Sequence, residues 1–279
     1  MNDAVYEVSS ELYSEFNYET NSKPSVNSNN VVSRFCFVCP APPSEIDSDG
    51  DLIVQRKPKD SGCIEIEHSK STVLSLVGLQ VWRGALLLAD WLLFNSSQLP
   101  ANCTVLELGS GTGLTSIVAG IFSSVICTDV DEGEILQLLK ANIERNKTVI
   151  KHPVLVTEVD FFTCHTKEFL SPDITNALND IKIIVAADVI YDNDLTENFV
   201  KTLKFFVSHS SVNYIYVALE KRYVFTTADC DVSAPCYEFF MECLETFQIK
   251  VEKVPLDFPQ YFRYDRVKEL VLLKITCKN

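Results

Sequence analysis

The stretch Val105-Leu106-Glu107-Leu108-Gly109-Ser110-Gly111-Thr112-Gly113 decides the fold. An apolar run carrying one acid leads into three glycines at alternate positions, and apolar residues resume at Leu114. This pattern predicts a strand, a tight turn and a helix start. Glycine lets the turn take positive φ and lets a ligand lie on bare backbone. The first amides of the following helix are then expected to face that ligand without partners of their own. The spacing is G-x-G-x-G, not the G-x-G-x-x-G of dinucleotide binders, and no Lys-Ser or Lys-Thr follows to make a phosphate loop.

Downstream, Val125-Ile126-Cys127-Thr128-Asp129 predicts a second strand ending in a carboxylate. Asp129 follows Gly109 at the interval of about 20 residues at which doubly wound folds hold a ribose diol. A site with a ribose acid and no pyrophosphate loop suits a small adenosine-bearing cofactor. Third, fourth and fifth strands are expected at 154–158, 181–187 and 214–219, the fourth almost wholly apolar, as a sheet centre buried on both faces requires. Helices separate them. Asp131 with Glu134 has capping-box spacing before one helix, and Asp194 with Glu197 before another. Strands at 248–254 and 270–276, joined by an aromatic Pro-containing turn, predict an antiparallel edge hairpin. The fold class is therefore α/β: a doubly wound, seven-stranded, mostly parallel sheet with one antiparallel strand and helices on both faces. No glycine occurs after Gly133, so late left-handed positions must use Asn or Asp.

Upstream, a helix is expected from Arg83, with Leu87, Trp91 and Phe94 on one face and Trp82 just before it. Residues 73–81 resemble a strand, 63–67 alternate like a half-exposed one, and 31–38 form another strand-like patch. Together they predict an N-terminal β extension over 31–81, with a Pro-rich acidic linker at 40–51, ahead of a catalytic domain at 82–279. Residues 1–30, polar and without periodicity, are expected to be a disordered acidic tail.

A hydrophobic content of 47% supports a large core, and a formal charge of −14 argues against a nucleic-acid-binding surface. Ten cysteines without a basic, apolar leader suggest a reducing compartment and free thiols. No membrane-spanning run is expected. The single C-x-x-C, Cys36 to Cys39, lacks a second pair, so no metal site is predicted.

Four motifs converge on one family: Val81-Trp82, the Glu107–Gly113 turn, Thr128-Asp129, and Ala187-Asp188-Val189-Ile190-Tyr191. Over about residues 62–279 the chain resembles the family-16 seven-β-strand, S-adenosylmethionine-dependent protein methyltransferases, of which D-x-x-Y after the fourth strand is a hallmark. The resemblance implies a Rossmann-like methyltransferase fold and S-adenosyl-L-methionine as cofactor, with S-adenosyl-L-homocysteine as product. It implies that Gly109, Ser110 and Gly111 line the methionine and ribose portion, that Asp129 accepts from the ribose, that Trp82 walls the cofactor, and that Ala187 lies beneath it. Glu107 and Gly113 complete the pocket. Phe161 stands where many relatives carry the Trp that covers adenine, and its ring still stacks on a purine.

Asp188 and Tyr191 are the candidate catalytic pair, one orienting the amine, the other walling its channel. Relatives that methylate planar amides or exocyclic amines use a Pro-Pro loop at this point. Here Val189-Ile190 replaces the prolines, which favours an sp³ lysine amine. The expected substrate is a protein presenting a lysine, non-histone and nucleic-acid-associated, in the nucleus or cytoplasm. The enzyme is expected to be a monomer without direct nucleic-acid or membrane binding. Three alternatives stay open: a small-molecule or RNA methyltransferase, a non-catalytic cofactor-binding module, and an NAD-dependent oxidoreductase, the last disfavoured by the glycine spacing.

Overall fold

A computed structural model describes residues 7–38, 61–100, 103–164, 168, 170–226 and 231–277. The seven main strands are β1 (Thr104–Leu108), β2 (Ser124–Asp129), β3 (Val154–Glu158), β4 (Ile181–Ala187), β5 (Tyr214–Glu220), β6 (Ile249–Val254) and β7 (Leu270–Cys277). They form one sheet in the order 3-2-1-4-5-7-6. All neighbours are parallel except β7, which runs antiparallel to both β5 and β6. β1 pairs with β2 on one side and β4 on the other. The winding reverses there, and ligands of open α/β sheets bind outside the carboxyl ends at such a reversal.

Alternation along β1 divides the core. Val105 joins an apolar cluster on one face with α1 (Arg83–Asn95) and α2 (Leu114–Ala119). Leu106 and Leu108 join the opposite cluster, with Phe199 and Phe206 of α5 (Asn193–His209) and Phe240 of α6 (Pro235–Thr246). Between these in the chain lie α3 (Ile135–Arg145) and α4 (Pro172–Ala177). α1 departs from the expected one-sided helix. Leu86 to Leu92 are all buried, whereas Phe94 is exposed. The hairpin Val31–Val38/Ser61–His68 supplies Phe35, Ile64 and Ile66 to the same cluster, so α1 is enclosed.

The stretch Leu74–Gln98 contains an 18-residue window of mean hydropathy 1.4, and 67% of that window is buried in the protein. Extended residues at Gln80 and Trp82 split it. The first part is a 3₁₀ turn, Leu74–Leu79, where a strand is expected; before it Thr72–Val73 pairs with Glu7–Val8.

The disordered tail expected over 1–30 is corrected for residues 7–30, which dock on the domain; residues 1–6 lie outside the described residues. Leu12 is fully buried, and Tyr18 stacks on Phe35 with centroids 4.6 Å apart. The side chain of Gln80 accepts from the Ser10 amide (2.9 Å) and donates to the Val8 carbonyl (2.9 Å). Glu67, fully buried, accepts from the amides of Ser25 (2.5 Å), Val26 (2.8 Å) and Asn27 (3.2 Å), and pairs with Arg145 (3.1 Å). Burial alone would raise its pKa; the hydrogen bonds from Ser25, Val26 and Asn30 outweigh it and hold the carboxyl at about 2. These bonds carry no sequence period, so composition suggests disorder where side-chain acceptors provide order.

Three further expectations change. Glu134 does not close a capping box; it is itself the left-handed residue before α3 (φ 69°), with no side-chain cap. The cap of α5 is Asp192, which accepts from the Leu195 amide at 2.9 Å, not Asp194 with Glu197. The thiols are not all free: Cys36 and Cys63, opposite each other on the hairpin, are disulfide-bonded, while Cys103, Cys127, Cys164, Cys236 and Cys243 are free. The acidic linker at 40–51 and Cys39 lie outside the described residues.

Candidate active site

The glycine turn opens into a cleft enclosing about 830 Å³, part of it open to solvent. Gly109 (φ 71°) and Gly111 (φ 51°) both take left-handed backbone. A Cβ at Gly109 would sit 2.6 Å from the Val189 side chain, and one at Gly111 would sit 2.7 Å from the Gly78 carbonyl oxygen. Both positions therefore need glycine for shape and for room. Gly109, Ser110 and Gly111 all line the cleft. Gly113 does not: its missing side chain makes room for Leu139, 2.4 Å from where a Cβ would stand. The turn's amides are also less free than expected. Ser110 donates to the Thr128 carbonyl (2.8 Å), Gly111 to Asp129 (2.7 Å) and Gly113 to the Ser110 carbonyl (2.8 Å).

Asp129 stands at the tip of β2. One oxygen accepts from Gly111 N, the other from its neighbour Val130 N at 2.8 Å. A carboxylate has about four lone-pair sites, so acceptor capacity remains on the cleft side. Burial pushes its pKa up to about 6, against the two amides. Glu107, on β1 beneath the turn, is buried and accepts from the Ser116 hydroxyl. Burial raises its pKa to about 7, against the hydrogen bond from Ser116, and it lines the cleft. Phe161 lines the cleft after β3 and packs against Phe199, centroids 5.3 Å apart. Ala187 and Trp82 are on the opposite wall. The indole N–H of Trp82 is already donated to the Val77 carbonyl (2.9 Å), which fixes the ring.

Asp188 follows β4 with φ 52°, meeting the expectation that a late left-handed position falls to Asn or Asp; Gln248 (φ 59°) is a second such position and does not. Its oxygens accept from Gly84 N at the start of α1 (2.6 Å) and from Glu220 N at the end of β5 (2.9 Å). Three elements are thereby tied to one carboxylate. A Cβ on Gly84 would fall 2.5 Å from that carboxylate. Burial raises the Asp188 pKa to about 6, against the Glu220 amide and the Arg222 charge. Tyr191 lines the same cleft, its phenol pushed up to about 12 by burial and by the nearby Asp129 and Asp192 charges.

A second cavity adjoins the first. Both are lined by Val77, Trp82, Asp188 and Tyr191, so these four form their shared boundary. The second cavity is otherwise walled by apolar and aromatic groups, including Leu74, Ile190 and Tyr237, and by Glu220 and Arg222. Sequence reading missed two contributors. The 3₁₀ turn brings Ser75, Val77 and Gly78 over the glycine turn, hidden because its apolar run resembles a strand. Val8 and Glu11 reach the second cavity from a segment with no periodic signal. Among the described residues, no group of three or more His, Cys, Asp or Glu is placed to hold a metal ion.

Sheet order, glycine turn and strand-tip acids together define a Rossmann-like methyltransferase fold with a cleft at its switch point. The chain belongs to the lysine methyltransferase family, whose profile matches residues 59–233. Methyltransferase-like protein 22 of Homo sapiens is 37% identical over 236 residues, covering 77% of this chain and 58% of that protein. The Mus musculus protein of the same name is 36% identical over 236 residues, covering 77% and 59%. Protein N-lysine methyltransferase METTL21A of Mus musculus is 32% identical over 147 residues, covering 53% of this chain and 62% of that protein. The chain thus spans less than two thirds of the length of each of these relatives.

Proposed function

We propose that the protein is an S-adenosyl-L-methionine-dependent protein-lysine N-methyltransferase. The observation that carries this is the shared boundary: a glycine-cradled cleft and an aromatic, acid-bearing cavity meet at Trp82, Asp188 and Tyr191. The cleft fits the cofactor by its own chemistry. Bare backbone at Gly109 and Gly111 accepts close approach, Asp129 keeps lone pairs for a ribose diol, and Phe161 offers a ring face for adenine. When bound, the cofactor supplies an electrophilic methyl group and leaves as S-adenosyl-L-homocysteine without needing a proton.

The protein's task is then to align the two reactants and to exclude water. A lysine amine is protonated at neutral pH, its reference pKa being about 10.4. The rings of Trp82, Tyr191 and Tyr237 desolvate the cavity and lower that value. Asp188, held from two sides by backbone, is a fixed negative group that orients the amine at the boundary. Tyr191 walls the approach. The target is taken to be a non-histone, nucleic-acid-associated protein in the nucleus or cytoplasm, and the enzyme a monomer; family resemblance supports these choices.

Radiolabelled cofactor incubated with the protein and a cell extract tests the reading. Label that survives RNase and is released by protease supports it; label released by RNase, or recovered only in small molecules, refutes it. Calorimetry with S-adenosyl-L-homocysteine checks the cofactor independently.

A further inference from the structure

Residues 7–30 lie outside the span matched by the family profile, yet they reach the second cavity. Val8 and Glu11 are part of its wall. They are held there firmly. Val8 pairs with Thr72, and its carbonyl receives the Gln80 amide. Glu11 pairs with Arg222 at 2.5 Å and lies 3.7 Å from Arg83. Arg83 also bonds Glu15 and Glu220, and Arg222 lies over the Trp82 ring, 5.2 Å from its centroid. Three carboxylates, Glu11, Glu15 and Glu220, therefore share two guanidinium groups. Asp188 adds a fourth acid on the same wall. The lining is short of positive charge, and its other surfaces are apolar or aromatic. A long alkyl stem ending in a cation matches both properties.

We propose that this amino-terminal segment is a working part of the substrate site: Val8 covers the alkyl stem of the target lysine, and Glu11 supplies the charge that favours a cationic side chain in the cavity. Both are positioning residues, acting on substrate affinity rather than on cofactor affinity. The proposal rests on the lysine methyltransferase reading above. It adds a specificity element that the family-matched region does not contain.

The test uses the full chain and two probes. One is S-adenosyl-L-homocysteine. The other is a conjugate joining the ε-nitrogen of lysine, through a short carbon link, to the 5′ position of adenosine. Calorimetry gives both affinities for wild type, Glu11→Gln, Val8→Lys and Glu15→Gln. Glu11→Gln is expected to weaken the conjugate by about fivefold and Val8→Lys by about tenfold or more, with S-adenosyl-L-homocysteine changed by less than about twofold. Glu15→Gln disturbs the same ion network without lying in the cavity wall, and should weaken the conjugate by less than about twofold. Equal losses for both probes, no loss for either, or a Glu15→Gln effect as large as that of Glu11→Gln would each overturn the proposal in favour of a purely structural segment. If wild type bound neither probe, the reading of the site would fall first, and this proposal with it.

Discussion

Asp129 and Asp188 look alike at first. Each follows or ends a parallel strand at the same end of the sheet, each accepts two backbone amides, and each is raised by burial to about 6. They differ in reach. The partners of Asp129 are 18 residues and one residue away in sequence; those of Asp188 are 104 and 32 away. Asp129 shapes one loop and keeps acceptor capacity for a ligand. Asp188 fastens the start of α1, with Trp82 beside it, to the ends of β4 and β5. A carboxylate at a strand tip can thus hold one loop or tie several elements together, and the span of its hydrogen bonds shows which.

The largest expected effect follows from that clamp. Asp188→Ala should cut methyl transfer into protein by at least about 100-fold and cost about 2–4 kcal/mol of stability, because two amides lose their acceptor and Ala fits a left-handed position poorly. Activity assays beside thermal melts decide it; a variant that melts like wild type would break the contrast. Asp129→Ala should weaken S-adenosyl-L-homocysteine about 30-fold, roughly 2 kcal/mol, while the melting temperature moves much less than for Asp188→Ala. A large drop in melting temperature with unchanged affinity would exchange the two roles. The smallest effect is one of pH. The ribose acceptor is the ionised carboxylate, and its raised pKa of about 6 means that protonation starts as pH falls toward 6. Affinity for S-adenosyl-L-homocysteine should decline by about tenfold between pH 7.5 and pH 5. Asp129→Asn should bind more weakly throughout and lose that step; a step that survives in Asp129→Asn belongs to another group, Asp188 being the nearest in pKa on the same cleft.

The central sheet was legible because its strands are short apolar runs closed by acids or glycines, and such runs have few alternatives in a chain of this composition. The positions of Asp129, Asp188 and Tyr191 on one cleft followed from the rule that strand ends meet at the switch point. Other features depended on tertiary contacts. Gly113 carries the same left-handed signal as its neighbours, and only the place of Leu139 shows that it serves packing. Leu74–Leu79 is apolar enough to be a strand, and it coils because Gly78 must lie against Gly111. Residues 7–30 are ordered by acceptors elsewhere in the chain, Glu67 and Gln80 among them, which no local pattern announces.

The docking of that segment has a consequence for how the protein is made. Residues 7–19 leave the ribosome early, but their anchors come much later: Gln80 lies 70 residues beyond Ser10, and Arg222 lies 211 beyond Glu11. Translation is vectorial, at about 5–20 residues per second, so the anchors at Thr72 and Gln80 are made before the sheet strands, whereas the pairing of Glu11 with Arg222 must wait until β5 has been made. The charged corner of that wall is therefore completed late, and a nascent chain stalled before residue 222 would hold Glu11 without this partner.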